Sequence, residues 1–175
     1  MTAAPVLDPQ RTALILVDLM ERIVALPLEP RKGTEALATA DELARAFRSA
    51  GALVVLVRVE RPAVAEQPPG SGLVPGLLRD GDLEVVKRTI GAFQGTGLDE
   101  RLRERGITTL VFGGIATNLG VESTARAAAD LGYDLVFAED TMAAFTAAEH
   151  EATVRLDFPR LGTVVTASRL RFGTG

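Results

Sequence analysis

Three places in the chain set chemistry-bearing residues at the end of an apolar run. Asp18 closes Ala13-Leu14-Ile15-Leu16-Val17, Lys87 closes Leu83-Glu84-Val85-Val86, and a glycine-bounded turn, Gly113 to Gly120, follows Thr109-Leu110-Val111-Phe112. A carboxyl and an ammonium brought together form an acid–base pair. Burial raises the carboxyl pKa, the ammonium lowers it, and the balance sets whether Asp18 gives or takes a proton. The turn adds backbone N–H groups at a helix N-terminus, which can face a carboxylate or a developing oxyanion. The chain contains no cysteine, so thiolate attack is unavailable. Taken singly, a strand-terminal Asp is more often a helix cap, a strand-terminal Lys more often solvated, and the glycines can merely close a tight turn.

The elements that must position these residues follow from the same runs. Continuous apolar segments, with Leu53 to Val57, Leu135 to Ala138 and Thr163 to Val165 completing the set, predict about six strands, most of them buried on both faces. Helices are expected over Gly33 to Ala50, Leu98 to Arg105, Asn118 to Leu131 and Thr146 to Phe158, with Gly51, Gly106, Gly132 and Pro159 as stops. In the first, Leu37, Ala40, Leu43, Ala44 and Phe47 form one apolar stripe. Alternating strands and helices predict a three-layer αβα, Rossmann-like fold with a mainly parallel six-stranded sheet. In such sheets ligands bind outside the carboxyl ends of the strands, where Asp18, Lys87 and the turn all fall. Arg61 to Asp82, rich in Pro and Gly, reads as a loop of unusual length, with either a substrate-covering or interface role or a plain surface excursion expected.

At 175 residues one domain, residues 1–175, is expected. A net charge of −4 argues against nucleic acid as partner. No apolar stretch approaches the roughly 18 residues of a membrane span, and no basic, apolar leader opens the chain, so a cytoplasmic location away from membranes is expected. His150, the only histidine, stands between Glu149 and Glu151 without a second His or Cys and reads as a surface residue rather than a metal ligand. No metal or cofactor is expected: Gly113-Gly114 lacks the spacing of a dinucleotide fingerprint, and no phosphate loop occurs.

Three blocks in order, Thr12 to Asp18, Val86-Lys87-Arg88 leading to Gly91-Ala92-Phe93-Gln94-Gly95-Thr96, and Gly114 to Arg126 followed by Ala138-Glu139-Asp140, resemble the isochorismatase-like, or cysteine hydrolase, superfamily. The resemblance carries the family's catalytic Asp and Lys onto Asp18 and Lys87, and its nucleophilic Cys onto Gly120. True isochorismatases are similar in having glycine there, and hydrolyse a vinyl ether with an essential Asp. This chain also resembles a bacterial subgroup in which glycine is the rule. It departs from isochorismatases at Thr117-Asn118, where they have Ala-His, so isochorismate itself is not the expected substrate. The Asp-His-His metal cluster of the related nicotinamidases has no counterpart.

The resemblance implies a cis peptide at Ile115–Ala116, and a substrate pocket touched by Ile115, Ala116, Thr117 and Phe93, the last with a core role as its alternative, and with Thr117 serving as a turn or cap group. It also implies a homo-oligomer. Arg126 is expected to pair with Glu139 or Asp140, Glu122 to favour its helix N-terminus, and Arg58 and Arg88 to hold an anionic substrate or form surface ion pairs. The implied function is a hydrolase acting on a small carboxylate-bearing or amide-like molecule through Asp18 and Lys87. The alternative is an inactive relative that keeps the pocket to bind a small molecule or partner.

Overall fold

Alternation along strand β2 (Thr12–Val17) divides the molecule into layers: Leu14 and Leu16 enter one core, Ala13, Ile15 and Val17 the other. The computed structural model describes residues 5–173. A six-stranded sheet runs β4 (Leu83–Lys87), β3 (Leu53–Val59), β2, β5 (Thr109–Ile115), β6 (Asp134–Ala143), β7 (Thr163–Val165), with every pairing parallel. Strands β1 (Val6–Leu7) and β8 (Arg171–Phe172) form a separate parallel pair. One core packs under helix α2 (Gly33–Ser49). The other gathers the apolar sides of α3 (Leu98–Arg103) and α4 (Glu122–Asp130). This is the expected α/β fold, with six strands in the main sheet.

The chain runs outward from β2 to β3 and β4, then crosses to the far side of β2 to lay down β5. The strand order therefore reverses between β2 and β5, and the carboxyl ends of that pair border a crevice. Val17 lies opposite Gly114 there. Gly114 has φ 116°, and a Cβ on it would stand 2.1 Å from the Val17 carbonyl oxygen. Only glycine lets the two strand ends approach so closely.

Helix boundaries differ in instructive ways. Ala36, not Leu37, is the fully buried first member of the α2 stripe, and Leu37 packs at its margin. The segment expected as one helix from Asn118 opens with a π-helical turn, Thr117–Val121, before α4. Pro159 does not stop the late helix. α5 (Ala147–Ala152) continues through a π-helical turn, Thr153–Asp157, into α6 (Phe158–Leu161). The wider turn relieves the clash a proline ring makes with the carbonyl four residues back, and the missing N–H falls in the first turn of α6. Gly162 ends the run, where a Cβ would meet the Leu135 carbonyl oxygen at 2.1 Å.

The long loop has no regular element, yet its middle is tied down. Gly72 and Gly70 carbonyls accept from the Glu21 and Arg22 N–H groups of α1 (Glu21–Val24), and Val74 N–H donates to Leu19 O. Leu77 is buried, and Arg48 reaches its carbonyl and Asp82.

Candidate active site

The β2 ladder carries one residue past its end, Asp18 N–H donating to Val57 O at 2.8 Å, and the backbone then turns into the left-handed region at Asp18 itself (φ 54°). A non-glycine residue there is uncommon, and Asp is among the types that tolerate it. Lys87, the last residue of β4, reaches across the end of β3 to place Nζ 2.9 Å from Asp18 Oδ2. Both are buried, at 6% and 2% exposure.

The remaining Lys87 donors are spent on its own chain: Nζ donates to Ile90 O at 2.7 Å and to Thr89 O at 3.4 Å. An ammonium has three N–H groups, so three acceptors leave none for a substrate. What Lys87 can offer the pocket is its charge and its hold on Asp18. Asp18 Oδ1, by contrast, is buried without a hydrogen-bond partner. Burial pushes the Asp18 carboxyl above its ordinary range, against the opposing pull of Lys87 and, more weakly, Arg22. One oxygen of the carboxyl is thus held by Lys87 and the other is unspent.

The turn after β5 faces this pair. The Ile115–Ala116 peptide is cis, and the π-helical turn follows at once. A Cβ on Gly120 would lie 3.0 Å from Val17 Cγ1, 3.3 Å from Asp18 Oδ2 and 3.4 Å from Lys87 Nζ. A side chain here would therefore point at the acid–base pair. Thr124 locks the turn, its hydroxyl donating to Gly120 O at 2.6 Å and accepting from Ala92 N–H at 3.1 Å.

Asp18, Lys87, Gly120, Ile115 and Ala116 line one pocket of about 490 Å³. A larger hollow of about 640 Å³, bordered by Asp8, Arg11 and Asp134 at the opposite ends of the strands, has no such buried pair. Chemistry and not size singles out the crevice.

A match to the isochorismatase domain spans residues 12–169. The chain belongs to the isochorismatase family. It is 41% identical to the isochorismatase family protein YwoC of Bacillus subtilis, over 89% of this chain and 90% of that one. Identity is 39% to YecD of Escherichia coli O157:H7, covering 90% and 93%. Among solved structures, an isochorismatase family protein from Burkholderia thailandensis superposes with a TM-score of 0.84 at 36% identity, covering 96% of this chain and 97% of that one.

Other expected site residues of this isochorismatase-family chain lie elsewhere. Phe93 does not line the pocket; its ring lies 6.2 Å from that of Tyr133, against the core beneath α4. Thr117 neither lines it nor caps a helix. It is fully buried, its hydroxyl 2.8 Å from His150 Nδ1. His150 is thus no surface residue: it is 3% exposed, with Nε2 3.6 Å from Glu139 Oε2, an ion-pair distance beyond hydrogen-bond length. His150 is the one buried residue of α5, and its charged sequence neighbours conceal this.

Arg126 pairs with Glu122 and Asp157 rather than with Glu139 or Asp140, because one helical turn puts Glu122 beside it. Arg31 takes the Glu139 carboxylate instead. Arg58 and Arg88 are engaged with acidic neighbours, Arg58 with Glu60 and Glu84 and Arg88 with Glu60. Of the long loop, only Arg61 and Pro62 border the pocket; Gly70, Ser71 and Gly72 brace α1, and Leu77 and Asp82 brace α2. The pocket also takes in Arg22, four residues past Asp18, and the exposed side chains of Leu26, Ile90, Leu119 and Phe145. Nothing in the local sequence marks those four, since their apolar character is what a core residue also has.

Among the described residues no cluster of three His, Cys, Asp or Glu side chains could hold a metal, and no helix is long and apolar enough to cross a membrane.

Proposed function

We propose that this isochorismatase-family protein is a metal-independent hydrolase of a small carboxylate-bearing or amide-like metabolite, in the branch of the family that works with glycine at the position of the nucleophilic cysteine. The observation that carries the reading is the buried Asp18–Lys87 pair, at the border of the pocket, with one carboxyl oxygen left without a partner.

In the vinyl-ether form of the chemistry, protonated Asp18 gives its proton to the enol carbon, leaving an oxocarbenium ion. Water adds to that ion, its spare proton returns to Asp18, and the hemiketal collapses to a ketone and an alcohol. In the amide form, ionised Asp18 takes a proton from water as its oxygen bonds to the carbonyl carbon, then delivers the proton to the leaving nitrogen. Lys87 positions the carboxyl and balances its charge in both. Gly120 leaves the side of the pair that a thiol would occupy open to water or substrate.

Turnover of a library of small carboxylates, enol ethers and amides by the wild type and by Asp18→Asn tests this. The wild type is expected to hydrolyse at least one class, and Asp18→Asn to lose at least about a hundredfold in kcat. Equal turnover by both removes Asp18 from the mechanism; binding without turnover by the wild type favours the inactive-relative reading.

A further inference from the structure

The charged groups of the pocket do not cancel. Asp18 is taken by Lys87 at 2.9 Å, and Glu60 by Arg58 at 2.7 Å and Arg88 at 3.1 Å. Two cations remain, Arg22 and Arg61. Arg22 donates from Nε to Ser71 Oγ at 3.1 Å, and its two terminal nitrogens have no hydrogen-bond partner among the described residues. Ser71, only 8% exposed and donating to Pro68 O at 2.6 Å, fixes that guanidinium from behind. The Arg61 side chain makes no hydrogen bond or ion pair among the described residues; only its backbone is engaged, with Gln67. In a chain of net charge −4, this is a local excess of positive charge beside a reactive carboxyl.

Much of the remaining lining is apolar. Leu26, Ile90, Leu119 and Phe145 are 38%, 61%, 44% and 47% exposed, and they meet at this one opening from four separate stretches of chain. None belongs to either core. Exposed apolar side chains scattered singly need no explanation, whereas several gathered on a pocket mark a surface to be covered.

We propose that the pocket binds an organic monoanion with an apolar body, its anionic group held by Arg22 and its body lying against Leu26, Ile90, Leu119 and Phe145, so that Arg22 selects anionic over neutral ligands. The assignment rests on the crevice being the substrate site, and it narrows the substrate to an apolar acid. A guanidinium held at Nε presents its two terminal amino groups as a fork, which matches a carboxylate.

The test is equilibrium binding, which does not depend on turnover. Phenylacetate, its neutral amide and the compact dianion malonate are titrated into the full chain and its variants. Phenylacetate is expected to bind the wild type about tenfold or more tightly than phenylacetamide or malonate. Arg22→Gln should erase the preference over the amide by weakening phenylacetate about tenfold, with the amide held within about twofold. Phe145→Ser should weaken acid and amide together. Asp18→Asn, which stops the proposed hydrolysis, should bind phenylacetate as well or better, because it removes a negative charge near the anchor. Failure of the hydrolase reading and failure of this one are thus separable.

Equal binding of acid and amide by the wild type, malonate binding as tightly as phenylacetate, no binding of phenylacetate, or an Arg22→Gln effect shared by acid and amide would each overturn the proposal. So would a drop in sedimenting mass on Phe145→Ser with phenylacetate affinity unchanged, which would assign the rim to a second copy of the chain.

Discussion

Replacing Lys87 by Met keeps the length of the side chain and removes its charge. Three acceptors then lose their donor: Asp18 Oδ2, Ile90 O and Thr89 O. Removing one partner of a buried ion pair costs about 3–5 kcal/mol when the other charge has no escape. Asp18 has one, because it can take up a proton, and this makes the loss depend on pH.

Burial already raises the Asp18 carboxyl above its ordinary value of 3.8. A group of that kind favours the fold most when it is protonated in both states, and it lowers stability as pH climbs from the unfolded value to the folded one. Without Lys87 the folded value climbs further, so the variant goes on losing about 1.4 kcal/mol per pH unit after the wild type has levelled off. The expected gap is small near pH 3–4, on the order of 1–2 kcal/mol for the carbonyl hydrogen bonds. Towards neutrality it widens to at least about 3 kcal/mol, or roughly 6–12 °C in Tm for a chain of this size.

Urea unfolding of both proteins between pH 3.5 and 8 measures the gap. Asp18→Asn/Lys87→Met should close most of the added loss and flatten the profile. A deficit independent of pH would refute the coupling of Lys87 to Asp18 titration.

Gly120→Cys places the only thiol of the chain beside Asp18 and Lys87 after Val17 yields by a few tenths of an ångström. It should be alkylated by iodoacetamide faster than the same protein carrying Lys87→Met as well, since the ammonium favours the thiolate; equal rates would argue against that placement. Gly114→Ala should cost at least about 3 kcal/mol or prevent folding, because backbone must move, whereas Gly51→Ala, with open space around a φ of 75°, should cost only about 1 kcal/mol; chemical denaturation of the pair separates strain from clash. The Glu139 carboxyl is held below its ordinary value by His150 and Arg31. Its contribution is complete above 4.5 and lost as pH falls through the lowered folded value, so Glu139→Gln should flatten acid unfolding, and an unchanged acid limb would oppose this.

What was legible in the sequence follows from periodicity and from strand ends. Runs such as Ala13 to Val17 are apolar on both faces, as interior strands of a covered sheet are, so the fold class is legible, and the strand-end rule marks Asp18, Lys87 and the glycine turn as candidates that the family resemblance then joins. Side chains that turn on three-dimensional neighbours did not. Thr117 and His150 meet from positions 33 residues apart, and Phe93 was drawn to Tyr133 by packing that no local pattern announces. Arg126 chose the nearer acid one helical turn away. Pro159 was a helix stop on propensity, and a widened turn accommodated it.

The rim of Leu26, Ile90, Leu119 and Phe145 stands outside both cores. Under the proposed binding mode, stability and selectivity are encoded in separate sets of positions. Mutations at the rim leave the strand ladder that carries Asp18 and Lys87 untouched, so this scaffold can drift from one ligand to another through folded intermediates. A laboratory library confined to those four codons, with Arg22 fixed, samples new specificities at little structural risk.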